Sequence, residues 1–338
     1  MKLQILVPQY KENDDVVRNL LDSIALQQNV DFCDIGVIIC NDGSDVHLSE
    51  RLLRFYPFYI DYYLEPHRGI SGTRNACLDH ATADYVMFCD ADDMFLNMCG
   101  LYVVFKEMEK GFDTMVSAFV EEARTRDTRD VIYTTHEYDM TFVHGKVHRR
   151  QYLIDQGIRF KEELVCNEDS YFTVLTQKLT DNVIHCKTPF YLWKWREGSV
   201  CREPNHRLKT YNYMIDGNEY LVMELYERGK IKDAVYFVVH MVYSAYYMLQ
   251  KPEWLKEENK GYRDAMERRF ALYFARMANL WDALVPDEKA EMSNKLREKA
   301  IAEGMTEETI TLSDWLEHIK EISNEYKKTE TDSAEQKT

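Results

Sequence analysis

Three carboxylates crowd into four residues at Asp90-Ala91-Asp92-Asp93. Such groups repel one another unless a cation or strong hydrogen-bond donors sit among them. Hard cations such as Mg²⁺ and Mn²⁺ take oxygen ligands, and Mg²⁺ sites commonly combine one or two carboxylates with substrate phosphates. The chemistry on offer is a divalent metal bridging to a diphosphate; a solvated acidic turn capping the next helix would use the same residues. Asp42-Gly43-Ser44 is a second cluster. Its carboxylate could accept a hydrogen bond from a base N–H while the glycine lets backbone approach, or it could be a plain turn with a helix N-cap. In His67-Arg68-Gly69-Ile70-Ser71-Gly72-Thr73-Arg74-Asn75 the glycines precede a helix, whose N-terminus favours anions. Arg74 could bridge the acidic loop and a phosphate, or form a structural Arg–Asp pair. The segment fits Gly-x-Gly-x-x-Gly poorly, so a dinucleotide fold is rejected. Asn167-Glu168-Asp169 opens a further helix. Acidic residues there suit the helix dipole, and one of them could also take a proton from a hydroxyl. His144 and His148, at i, i+4, are weaker metal-ligand candidates. Tyr191, Trp193 and Trp195 could stack on a sugar ring, although alternating aromatics in a short strand usually build core.

These clusters need elements to hold them. Residues 3–7 read as a strand closed by Pro8. Apolar positions from Asp14 to Gln28 recur at helical period, and Ile35–Cys40 is a continuous apolar run of the kind a doubly covered strand shows. A helix near 47–56, a strand near 59–64, a helix near 71–82 and a strand at 85–89 follow. This alternation predicts an α/β fold with a doubly wound, mainly parallel sheet, in which ligands bind at the carboxyl ends of strands. The polar clusters follow three apolar runs and would converge on one rim. The pattern from 97 to 200 is mixed: helices near 98–110, 149–157 and 168–179, and strands near 113–121, 131–135 and 182–187. After about 205, helices are expected near 206–228, 231–250, 262–283, 286–303 and 306–326. The expected division is a catalytic domain over 1–205, an all-helical domain over 206–326 and a polar, disordered tail over 327–338.

Composition narrows the partners. The 338 residues carry 58 Asp+Glu against 42 Lys+Arg, a formal net charge of −16. A field of that sign repels nucleic-acid backbones and anionic lipid surfaces. The longest apolar run, Ala234 to Leu249, is shorter than the roughly 20 residues of a membrane span. The eight cysteines form no Cys-x-x-Cys pair, and several sit in apolar runs. They are expected to be free thiols in a soluble, cytoplasmic protein. The 23 tyrosines are many and recur through the helical half, where packing and self-association are the expected roles and an acceptor surface the alternative.

Taken in order, these segments resemble the family-2 glycosyltransferases with the GT-A fold. The matching stretches are Ile5-Leu6-Val7-Pro8-Gln9-Tyr10 with Glu12, Ile38 to Ser44, Gly69 to Asn75, and Asp84 to Asp93. Gly145 to Arg150, Asn167-Glu168-Asp169 and Trp195 to Val200 match as well. The resemblance covers roughly residues 1–200. It implies a GT-A sheet with helices on both faces and inverting sugar transfer from a nucleotide-diphosphate donor, most often UDP-linked, to a hydroxyl acceptor such as a glycan. It implies donor contacts from Pro8, Tyr10, Glu12, Asp42, Arg74, Asp90 and Ala91, and Mn²⁺ or Mg²⁺ held by Asp92 with Asp90. Asp169 would be the general base, with Glu168 beside it. Asp45 directly after Ser44, and Thr73 before Arg74-Asn75, depart from the usual pattern. The processive-synthase motif Gln-x-x-Arg-Trp is absent, which points to a non-processive enzyme. The rival expectations are a nucleotidyltransferase and a non-catalytic nucleotide-sugar-binding protein.

Overall fold

The computed structural model describes residues 1–125, 129–197, 199 and 206–335, with side chains described through 325. Gly198, Val200 and Cys201, the expected boundary at 205, and residues 336–338 lie outside that set. The chain divides into two compact units, Met1–Ser199 and Val200–Thr338.

The first unit begins β1 (Leu3–Gln9), α1 (Asp14–Ala25), β2 (Ile35–Asp42), α2 (Glu50–Leu53), β3 (Tyr59–Glu65), α3 (Gly69–His80), β4 (Tyr85–Phe88). It continues β5 (Met94–Phe95), α4 (Gly100–Met108), β6 (Thr114–Arg124), β7 (Val131–His136), β8 (Lys146–Arg149), α5 (Arg150–Asp155), α6 (Glu168–Lys178) and β9 (Val183–Trp193). The nine strands among the described residues form a mixed sheet in the order β3-β2-β1-β4-β8-β6-β9-β5, with β7 paired to β6. β1 pairs in parallel with β2 and β4, and β2 with β3; β8 is antiparallel to both β4 and β6. Leu3, Ile5 and Val7 face a core that includes Val17, Leu20, Leu21 and Ile24 of α1. The alternate residues of β1 and β2 lie under α3, which packs on both strands. Helices therefore cover both faces, and every residue of β1 and β2 is buried.

Several element boundaries differ from the sequence expectation. Pro8 lies inside β1, opposite Cys40, and past the end of β4, whose partners on β1 are Leu3 to Leu6. The missing N–H therefore costs no ladder bond on that side. The helix expected over 47–56 is only the short α2, started by Ser49, whose hydroxyl accepts from the Leu52 amide, and followed by Pro57. β8 is a strand that was not expected. β9 runs on to Trp193, past Pro189, because a register shift between Ser117 and Phe119 accommodates that stretch.

The second unit comprises α7 (His206–Glu227), α8 (Ile231–Leu249), α9 (Pro252–Leu255), α10 (Lys260–Ala283), α11 (Pro286–Ala302) and α12 (Leu312–Glu335). The backbone is thus helical to Glu335, across most of the segment expected as a tail. Its buried tyrosines find partners for their hydroxyls: Tyr246 donates to the Ile310 carbonyl at 2.6 Å and Tyr273 to Asn218 at 2.7 Å. Among the described residues no helix is long and apolar enough to cross a membrane. No disulfide joins any of the seven described cysteines.

Candidate active site

The carboxyl ends of β1, β2 and β4 and the starts of α3 and α6 supply the polar side chains that the sequence singled out. β2 ends at Asp42, whose side chain is locked by the loop before α3. One oxygen accepts from the Arg68 amide at 2.7 Å, and the other lies 2.9 Å from His67 Nδ1. Gly43 makes this turn with a φ of +66°, and a Cβ there would lie 2.7 Å from the His67 amide nitrogen, so glycine is required. After β1 the chain turns through Lys11, itself at φ 69°. Tyr10 remains 43% exposed and stacks on His67, with ring centroids 5.0 Å apart. His67 was not among the residues expected in the site; its place before the glycines of α3 was the available signal.

Arg74, on the second turn of α3, is the hub. It is 3% exposed, and its guanidinium faces three carboxylates on two other segments. One nitrogen donates to Asp90 at 3.1 Å, and another donates to Glu168 at 3.1 Å and to Asp169. Asn167, in the left-handed region at φ 63°, precedes α6 and sets Glu168 and Asp169 in its first turn. Burial alone would lower the guanidinium pKa, but Asp169, Asp90 and Glu168 outweigh it and push it up. Against the cost of its own burial, Asp90 is held below the usual carboxylate range by Arg74 and His144. Asp169 goes the other way. Burial, reinforced by Glu168 and Asp90, pushes its carboxyl up to about 8 despite the pull of Arg74. Three carboxylates share one buried cation here, so Asp90 holds its charge while Asp169 takes up a proton near neutrality.

The acidic loop splits into separate roles. Asp93 is 2% exposed and structural: Tyr191 donates to one oxygen at 2.5 Å and the Lys194 amide to the other at 2.9 Å. Ala91 is buried beside it. Asp92 is more open, and its carboxyl is pushed up first by burial and then by Asp90. It pairs with Arg196 Nε at 3.0 Å, while another Arg196 nitrogen donates to Glu12 at 3.1 Å. Glu12 also accepts from the Tyr10 amide. Arg196 therefore joins the Asp92 and Glu12 loops, a contact that the sequence did not announce.

His144 lies with Asp90 and Asp93, the candidate ligand atoms all within 4.8 Å of one another. It is buried among Tyr191, Phe142 and Trp193, its Nδ1 finds no partner, and burial lowers it to about 4. His148 instead meets Thr114 in the core. Among the described residues the candidate ligand group here is Asp90, Asp93 and His144, without Asp92, against which a guanidinium stands. Asp93 has both oxygens occupied.

Residues 4–188, more than half of the chain, match the profile described as Glycosyl transferase family 2. Glycosyltransferase GlyA of Streptococcus pneumoniae is 25% identical over 226 residues, covering 60% of this chain and 32% of that protein. The uncharacterized glycosyltransferase YibD of Escherichia coli is 33% identical over 95 residues, 27% of this chain and 26% of YibD. The matches thus span only about a third or less of either relative. In fold, the crystal structure of S. aureus TarS 1–349 superposes with a TM-score of 0.62 at 18% identity, covering 97% of this chain and 92% of that one. Its complex with UDP-GlcNAc gives 0.59 at 18% identity, covering 90% and 93%.

Proposed function

Because the chain belongs to glycosyl transferase family 2, we propose that it moves a sugar from a nucleotide-diphosphate donor to an acceptor hydroxyl, with inversion at the anomeric carbon. The observation that carries the reading is the buried Arg74 hub joining the acidic loop at Asp90 to Asp169 on α6. UDP is the favoured nucleotide, since S. aureus TarS of the same fold forms complexes with UDP and UDP-GlcNAc. Tyr10 and His67 offer a stacked aromatic pair for a base, and Asp42, Glu12 and Pro8 frame that end of the site.

Asp92 and Asp90 would hold Mn²⁺ or Mg²⁺, which would supply charge stabilisation for the leaving diphosphate. Arg74 orients Asp169 through the direct ion pair and offsets negative charge arriving beside Asp90. Asp169, once deprotonated, takes the proton from the acceptor hydroxyl as that oxygen attacks, and Glu168 accepts from the same guanidinium nitrogen as Asp169.

The test is a screen of UDP-, GDP- and dTDP-sugars with Mn²⁺ or Mg²⁺, scoring nucleotide release. Release of nucleoside diphosphate is the expected result. Release of pyrophosphate would reassign the chain as a nucleotidyltransferase, and no release with any donor would leave a binding protein without turnover.

A further inference from the structure

A second set of metal-binding side chains sits where β2, β3 and α3 meet, and no residue of it takes part in the proposed sugar transfer. Cys40 lies on β2, Glu65 ends β3 and His80 ends α3. Their sulfur, carboxylate oxygen and imidazole nitrogen all fall within 4.8 Å of one another. The β2–β3 register explains the convergence. Cys40 lies opposite Tyr63 and Asp42 opposite Glu65, so Cys40 and Glu65 project from the same face of the sheet, the one α3 covers. Cys77 precedes His80 by three residues on α3, which puts both on one side of the helix. Its thiol interacts with the Cys40 thiol, but it lies outside the group of three whose ligand atoms all fall within 4.8 Å of one another. Both thiols are fully buried, whereas the Glu65 and His80 side chains keep 23% and 31% of their surface in solvent, so the cluster is open on one side. The His80 ring lies flat on Tyr63, with centroids 3.6 Å apart, and its Nε2 is 2.8 Å from Glu65 Oε1.

We propose that Cys40, Cys77, His80 and Glu65 form a structural zinc site. Two sulfurs, one nitrogen and one oxygen form a donor set suited to Zn²⁺ and poor for Mg²⁺. Tetrahedral Zn²⁺ with its usual bond lengths sets donor atoms roughly 3.3–3.8 Å apart. Cys40, Glu65 and His80 reach that by small side-chain adjustments and by trading the His80–Glu65 hydrogen bond for two metal bonds, while Cys77 must swing in from outside the group of three. The Tyr63 stack restrains the imidazole, as outer partners of ligating histidines do. Zinc would tie together β2, β3 and α3, the elements that carry Asp42 and Arg74. Binding displaces the thiol protons, so affinity rises with pH.

The test uses the full chain, stripped with a chelator and titrated with Zn²⁺ and, separately, Co²⁺, in excess Mg²⁺ to occupy hard oxygen sites. A single zinc should bind, and Co²⁺ should give a thiolate-to-metal charge-transfer band with tetrahedral visible bands. Cys40→Ser and His80→Ala should each weaken zinc binding by more than about 100-fold, since loss of an outer partner alone costs about 10–100-fold. Asp92→Asn should leave zinc affinity unchanged. His80→Ala and Glu65→Gln alter partly exposed positions, and the cobalt spectrum needs no variant, so misfolding of Cys40→Ser would not blunt the test. No zinc uptake, a cobalt spectrum without thiolate character, or zinc binding lost in Asp92→Asn and kept in His80→Ala would each overturn the proposal. None of these readouts depends on sugar transfer.

Discussion

Replacing Arg74 with methionine keeps most of the side chain's volume and removes the charge that Asp90, Glu168 and Asp169 share. At the 3.1 Å separation of the Asp90 pair, two unit charges in an effective dielectric of 20 attract by about 5 kcal/mol before desolvation is counted. Orphaning the partners of a buried ion pair costs about 3–5 kcal/mol net. These carboxylates keep 14–28% of their side-chain surface in solvent, so the lower end, about 3 kcal/mol, is the expected loss. The pH dependence separates charge from packing. Asp90 is held low in the folded protein, so its contribution is present above the unfolded value and fades as pH falls through the folded one. Arg74→Met lacks that contribution at every pH. The gap between wild type and variant should therefore hold from neutrality down to about pH 4 and shrink only as pH falls further, through the folded Asp90 value. Denaturant unfolding followed by far-ultraviolet circular dichroism across that range measures it, and added Mn²⁺ should stabilise the variant more than the wild type. A deficit below about 1 kcal/mol, the size of an exposed pair, or one that does not change with pH, would refute the hub.

Further expectations follow from the same geometry. Asp169→Asn should retain nucleotide binding while turnover falls by about 10²–10⁴-fold, the usual worth of a positioned base; equal loss of both would count against the assignment. Because burial raises Asp169 to about 8 in the cation-free site, kcat/KM should climb with pH toward a midpoint that bound Mn²⁺ shifts below that value; a profile flat with pH at every metal concentration would be inconsistent with this base. Arg196→Ala removes the competitor for Asp92 and should tighten apparent Mn²⁺ affinity in a metal titration; unchanged affinity would show that the pair does not guard the site. His144 and His148 are buried neutral, at about 4 and about 3, below their unfolded values. The unfolded chain binds more protons in that window, so stability should fall as pH drops from 6.5 toward 4, by about 3 kcal/mol for His144, with unfolding midpoints as the measure.

The parts of the fold that were legible are those in which burial writes a plain pattern. Ile35–Cys40 is apolar throughout because β2 is covered on both faces. β8 was not legible because its buried residues include Lys146 and His148, which no hydrophobic pattern flags. The Lys146 ammonium is satisfied by the Phe142 and His144 carbonyls, and burial lowers its pKa to about 8. In the site, Arg74 was readable because it stands in a glycine-bearing segment at the head of a helix. Arg196 against Asp92 was not, because that contact joins segments far apart in the chain. Cys40 was read as one more apolar residue of a strand, and only the β2–β3 register brings Glu65 beside it.

The charge balance around Arg74 links two jobs that the sequence presents as separate motifs. Asp169 is protonated near neutrality because Glu168 and Asp90 crowd it and burial withholds water. Asp92 is raised by burial and by that same Asp90, and leans on Arg196. Positive charge brought to Asp90 and Asp92 lowers the repulsion felt at Asp169 and favours its deprotonated form. Removing that charge returns the proton. Under the proposed function, a cation at the acidic loop would favour the deprotonated Asp169, and a site lacking it would hold more of that carboxyl protonated near neutrality.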